Sequence, residues 1–90
     1  MTDPAFVALR QSIAANVRRA RQRKGLTQEQ LADKAEQDVS YLQRVERGAV
    51  NLSLRVLFHL ARALEVTPAS LLRRAKLAAV RRGRPKKDRI

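Results

Sequence analysis

Gly25 and Gly48 bracket the stretch that most limits how this chain can fold. Glycine closes helices because it adopts the left-handed conformation of the last turn without a Cβ clash. Between them, Thr27-Gln28-Glu29-Gln30 has the pattern of a capping box. The Thr27 hydroxyl would accept from the Gln30 N–H, and the Gln30 side chain would return to the Thr27 N–H. Leu31, Ala32 and Ala35 then share one helical face, and after Glu36-Gln37-Asp38 so do Leu42 and Val45. The stretch predicts two short helices joined by a tight turn. The first runs from Thr27 to about Ala35 or Glu36, and the second is capped by Asp38 or by Ser40. At roughly 100° per residue, a wheel centred on Leu42 places Val45, Glu46 and Val39 toward the core. Ser40, Arg44 and Arg47 fall opposite, with Gln43 at the flank. A short helix with an apolar back and an Arg/Gln/Ser front suits base edges in a DNA major groove.

The flanking sequence supplies more helices. Asp3-Pro4 reads as an N-cap followed by proline at the first helical position, where a missing N–H costs nothing. Phe6, Leu9, Ile13, Val17 and Ala20 then mark one face of a helix reaching about Lys24. Arg18, Arg19, Arg21, Arg23 and Lys24 gather at its negative pole. Ser53 caps a fourth helix carrying Leu54, Leu57, Phe58, Leu60, Ala61 and Leu64, and Thr67-Pro68 opens a fifth. Ala69, Leu71, Leu72, Ala75, Leu77, Ala79 and Val80 exceed one narrow stripe, so the fifth helix is expected to run to about Val80 with a second buried face. The end, from Arg81 to Ile90, is expected to be disordered without a partner.

Ninety residues suffice for one small core, and the scarcity of aromatics (Phe6, Tyr41, Phe58) leaves Leu, Val, Ile and Ala to build it. A formal net charge of +12 and a pI near 11.7 favour a polyanionic partner. No run of about 18 apolar residues is present for a membrane span, and Met1-Thr2-Asp3-Pro4 lacks the pattern of a signal peptide. Without cysteine there is no disulfide framework and no thiolate metal site, and the lone His59 has no second ligand at useful spacing. No nucleophile–base set or phosphate-binding glycine loop is evident. The expectation is a cytoplasmic, nucleoid-associated protein that is not an enzyme and uses no metal or cofactor.

The run Arg21 to Ala32, with Ser40-Tyr41-Leu42, Val45-Glu46-Arg47-Gly48 and Leu57 to Leu64, resembles the Cro/phage-repressor (XRE-type) helix-turn-helix proteins. The likeness covers roughly Ile13 to Leu72, and Val45 to Leu64 also resembles the small controller proteins of restriction–modification systems. The resemblance implies an all-α, compact five-helix lambda-repressor-like domain over residues 4–80. Its helix-turn-helix unit spans about 27–47, and a basic tail follows over 81–90. It implies a homodimer binding a pseudo-palindromic operator in double-stranded DNA as a transcriptional regulator, more often a repressor. Val39, Ser40, Gln43 and Arg44 match base-facing positions. Gln28 matches a phosphate contact, and Arg21 and Glu46 match a partly buried ion pair. The family's turn usually has glycine where this chain has Glu36, and an inward apolar residue where it has Gln37. Either the turn is reshaped or the first helix of the pair extends further.

Thr27, Tyr41, Arg47 and Asn51 are the remaining candidates for the DNA backbone, Asn51 with turn formation as its commoner use. Leu64, Leu71, Leu72 and Leu77 form the candidate dimer surface, with closure of the monomer core over Phe6 and Leu9 as the other reading. Arg82-Gly83-Arg84-Pro85 resembles the core of an AT-hook, an extended segment lying in the narrow minor groove of A·T-rich DNA. With Lys86 and Lys87 it would equally serve as a sequence-neutral polybasic tail. Two other functions share these features: an antitoxin that binds a toxin protein and represses its own promoter, and an architectural DNA-binding protein. RNA polymerase is a further candidate partner of a regulator.

Overall fold

The computed structural model describes residues 3–75. Its elements in chain order are α1 (Pro4–Arg23), α2 (Gln28–Lys34), α3 (Val39–Glu46), α4 (Leu54–Leu64) and α5 (Pro68–Leu72). Side chains cap four of the five starts. Asp3 accepts from the Ala5 N–H, Thr27 and Gln30 form the reciprocal capping box, Ser53 accepts from Val56 N–H, and Thr67 accepts from Ser70 N–H. Asp38 occupies the N-cap position of α3 but its side chain makes no capping bond. Asp38 is thus the expected cap in position, while its carboxylate accepts from the Ser40 hydroxyl instead.

One device closes α1 to α4. A residue with positive φ follows each helix, at Gly25 (72°), Glu36 (59°), Gly48 (72°) and Glu65 (60°). The next N–H then reaches back five residues: Leu26 to the Arg21 carbonyl, Gln37 to Ala32, Ala49 to Arg44 and Val66 to Ala61. These bonds satisfy carbonyls that a helix end leaves without partners. The helix-turn-helix turn therefore keeps its left-handed residue although Glu36 stands there, and Gln37 adjusts by turning its amide to the Ala35 carbonyl at 3.2 Å. Gly48 has a second constraint. A Cβ there would sit 3.3 Å from Gln11 Cγ, so the end of α3 approaches α1 closely.

The core joins Ile13, Val17 and Ala20 of α1 to Leu31 and Ala32 of α2 with Ala35 just after it. Leu42 and Val45 of α3, Leu57, Leu60, Ala61 and Leu64 of α4, and Leu71 of α5 complete it. Leu31, Leu42, Leu60 and Leu71 are fully buried, each contributing roughly 1.5–3 kcal/mol of transfer free energy. The periodicity on α1 outruns this core. Phe6 and Leu9 continue the apolar face but remain exposed, as do Leu54, Phe58 and Leu72.

Helix α5 is shorter than its sequence suggests. It ends at Leu72 because Arg73 turns extended (φ −64°, ψ 141°). Asn16 Nδ2 of α1 donates to the carbonyls of Leu71 at 3.0 Å and Arg73 at 2.7 Å, and the Ala75 N–H donates to Ser12 Oγ. Polar side chains of α1 thus take the bonds that a longer α5 would have made internally. Among the described residues no helix is long and apolar enough to cross a membrane.

The left-handed Glu36 yields a stability prediction. Glu36→Gly relieves about 1 kcal/mol of backbone strain, partly offset by glycine's freedom in the unfolded chain. Urea unfolding should show a net gain of about 0.5 kcal/mol, whereas a loss would mean the Glu36 side chain outweighs its strain.

Candidate nucleic-acid interface

Helix α3 carries its polar groups on the side turned away from Leu42 and Val45. Ser40, Arg44 and Arg47 are exposed, and Tyr41 and Gln43 are half-buried. The Arg44 guanidinium lies over the Tyr41 ring, 5.6 Å from its centroid, a stacking that holds the long cationic side chain along the helix. Val39 is half-buried and packs against the core, so it sits at the edge of this face rather than within it. Thr27 is exposed at the head of α2.

Behind α3, the side chain of Glu46 is almost completely enclosed, with 2% of its surface exposed. Arg21 Nε donates to Glu46 Oε2 at 2.7 Å, and Arg21 Nη2 donates to Oε1 at 3.1 Å. This paired donation is the strong, orientation-fixing form of an arginine–carboxylate contact. Arg21 Nη1 also donates to the Leu26 carbonyl at 2.9 Å, so the loop before α2 joins the same cation. Arg18 Nη1 donates to the backbone carbonyl of Glu46 at 2.6 Å, satisfying a terminal carbonyl of α3. Sequence reasoning missed Arg18 as part of this anchor. Its position one turn before Arg21 on α1 was the available signal.

Gln28 is likewise engaged on the protein side. Its Nε2 donates to Glu46 Oε1 at 3.0 Å, and its Oε1 accepts from Gln43 Nε2 at 3.5 Å. Asn51 also has an internal partner, because its Oδ1 accepts from Arg10 Nη1 at 2.9 Å. That bond ties the loop after α3 to α1 and occupies the oxygen of Asn51, leaving its N–H groups for any outside contact. At the far end of α1, Lys24 Nζ lies 3.0 Å from Glu65 Oε1, and this hydrogen bond with its charge holds the Glu65 carboxyl below the usual carboxylate range.

The expected dimer surface divides. Leu64 and Leu71 are buried in the protomer's own core at 2% and 1% exposure, so they are not free to meet a second chain. Leu71 packs α5 inward against α1 and α4, while Leu64 belongs to α4 and lies in the same core, so neither forms the open dimer surface expected of it. Leu72 is exposed and lines a groove with Phe6, Leu9 and Leu54. Phe58 follows one turn after Leu54, its ring 5.1 Å beneath the Arg62 guanidinium. Leu77 and the tail residues Arg82, Arg84, Lys86 and Lys87 lie outside the described residues.

The ion pair makes a prediction about stability. Arg21→Ala should lower the unfolding free energy by about 3 kcal/mol, because an enclosed carboxylate loses its partner. Replacing both groups, Arg21→Met with Glu46→Leu, should restore most of that loss in urea unfolding. A double variant as unstable as the single one would contradict this account of the cost.

Comparison with known proteins agrees with this geometry. Residues 17–71 match the helix-turn-helix family model. Control protein C.SmaI of Serratia marcescens is 37% identical over 75 residues, covering 83% of this chain and 89% of that protein. The restriction-modification controller protein C.AhdI from Aeromonas hydrophila superposes with a TM-score of 0.67 at 40% identity, over 69% of this chain and 94% of the other. The hypothetical transcription factor NHTF from Neisseria gives a TM-score of 0.74 at 34% identity, covering 84% and 87%. With its five helices and its α2–turn–α3 unit, the chain belongs to the Cro/phage-repressor (XRE-type) helix-turn-helix family of DNA-binding transcription regulators.

Proposed function

We propose that this protein is a sequence-specific regulator that binds a short pseudo-palindromic operator as a homodimer, most simply as a repressor, with α3 in the major groove. The observation that carries the reading is the exposed polar face of α3, backed by a nearly enclosed ion pair that fixes its orientation. Arg44 is the guanine reader in this proposal, donating twice to O6 and N7, and Ser40 is an adaptable neighbour. Thr27, the backbone N–H at the head of α2, Tyr41, Arg47 and the Asn51 amide are the phosphate contacts. A control protein and a restriction-modification controller protein among the relatives support a regulatory role.

Dimerisation is assigned to the apolar face formed by Phe6, Leu9, Leu54, Phe58 and Leu72. A two-fold pair burying this face would present two copies of α3 to successive major grooves about 34 Å apart. The net charge of +12 raises affinity for any duplex through counterion release, so selectivity must come from the reading face.

Arg44→Ala tests the assignment. Binding to a panel of single-base operator variants should show relaxed choice at one position per half-site, with discrimination there falling by on the order of 1–3 kcal/mol. An unchanged ranking of the variants would contradict α3 as oriented here.

A further inference from the structure

The contacts around Glu46 do more than hold α3 in place. A carboxylate that accepts two bonds from Arg21 has no hydrogen to give, so any further partner must donate. Gln28 must therefore point its NH2 group at Glu46 Oε1, where it lies at 3.0 Å. The reversed amide would set two acceptors against each other on a group that is nearly enclosed. Once Gln28 is fixed this way, its carbonyl oxygen faces α3, and Gln43 meets it with Nε2 at 3.5 Å. The same logic now applies to Gln43, whose reversed amide would place oxygen against oxygen. One buried carboxylate thus sets the direction of two successive amides.

Taken with the proposal that α3 reads the major groove, on which this rests, the direction has a consequence. We infer that Glu46, acting through Gln28, locks the amide of Gln43 in the orientation that selects adenine. With one N–H of Gln43 turned to Gln28, its carbonyl oxygen and its second N–H remain for a base. Adenine offers the N6 amino donor beside the N7 acceptor, matching both. Cytosine offers only its N4 donor, and thymine offers an acceptor at O4. Guanine offers O6 and N7, two acceptors, and meets the fixed carbonyl oxygen unfavourably. An unrestrained glutamine escapes that conflict by rotating its amide and donating to guanine. Glu46 and Gln28 are positioning residues here, and Gln43 is the group that touches the base.

Selection of bound sites from a randomised duplex pool tests the inference with the full chain. Wild type, Gln43→Ala and Gln28→Met are compared. Gln28→Met keeps the length of the side chain and leaves the Arg21–Glu46 pair intact, so folding is retained and is checked by thermal unfolding. Gln43→Ala identifies the base column that Gln43 reads, and that column should be adenine in the wild type. In Gln28→Met the ratio of adenine to guanine in the same column should fall roughly fivefold or more, the lower end of a two-bond base contact. The column read by Arg44 should stay unchanged, a pattern that a general loss of stability does not produce. No enriched motif from the wild type would overturn the underlying reading of α3. A motif in which Gln43→Ala alters no column, the column is not adenine, or Gln28→Met leaves the ratio unchanged would overturn this inference alone.

Discussion

The enclosed pair between Arg21 and Glu46 is the contact on which the placement of α3 depends. Helix α3 spans Val39–Glu46, a length at which an isolated helix is marginal in water. Leu42 and Val45 bind it to the core, but apolar burial is non-directional and tolerates small rotations. The two parallel bonds from Arg21 are directional, and Arg18 adds a third from the same helix to the Glu46 carbonyl. An enclosed ion pair is a poor source of net stability, since desolvation offsets most of its attraction. Its effect here is geometric: one turn of α1 sets both the tilt of α3 and the partners available to Gln28.

The turn between α2 and α3 illustrates how far that geometry is conserved against local preference within the chain itself. Four helices end in the same backbone motif, yet glycine fills the left-handed position at only two of them. Glu36 and Glu65 accept the strain at the others. Glu65 has a compensating ionic contact with Lys24, and Gln37 beside Glu36 bonds the Ala35 carbonyl. The overall packing therefore fixes the turn, and the side chains accommodate it.

Much of this was legible in the chain because it is local. Thr27 and Gln30 announce a capping box, Asp3-Pro4 and Thr67-Pro68 announce helix starts, and Gly25 and Gly48 announce ends, each through contacts within a few residues. The exposed Arg44 and Ser40 follow from helical periodicity once Leu42 is known to face inward. What escaped depends on distant neighbours. Periodicity marks Leu64 and Leu71 as apolar but does not say whether α1 or a second chain covers them, and the protomer's own core does. The same pattern runs through Phe6 and Leu9, where α1 extends past the helices that would bury it. The early end of α5 rests on Asn16 and Ser12, far away in sequence, and the link from Glu46 through Gln28 to Gln43 joins helices that no wheel projection places together.

These observations describe a helix whose polar face is held in one orientation by the groups packed behind it. Charge alone would bind any duplex, so the central claim is that this orientation confers selectivity. Its most direct test is the ratio of affinities for a selected operator and for random duplex of equal length, measured at physiological salt. If α3 reads bases as proposed, the operator is bound tighter by about 10³-fold or more, the lower end of specific protein–DNA recognition. A ratio near one would contradict it and leave only electrostatic attraction to the DNA backbone.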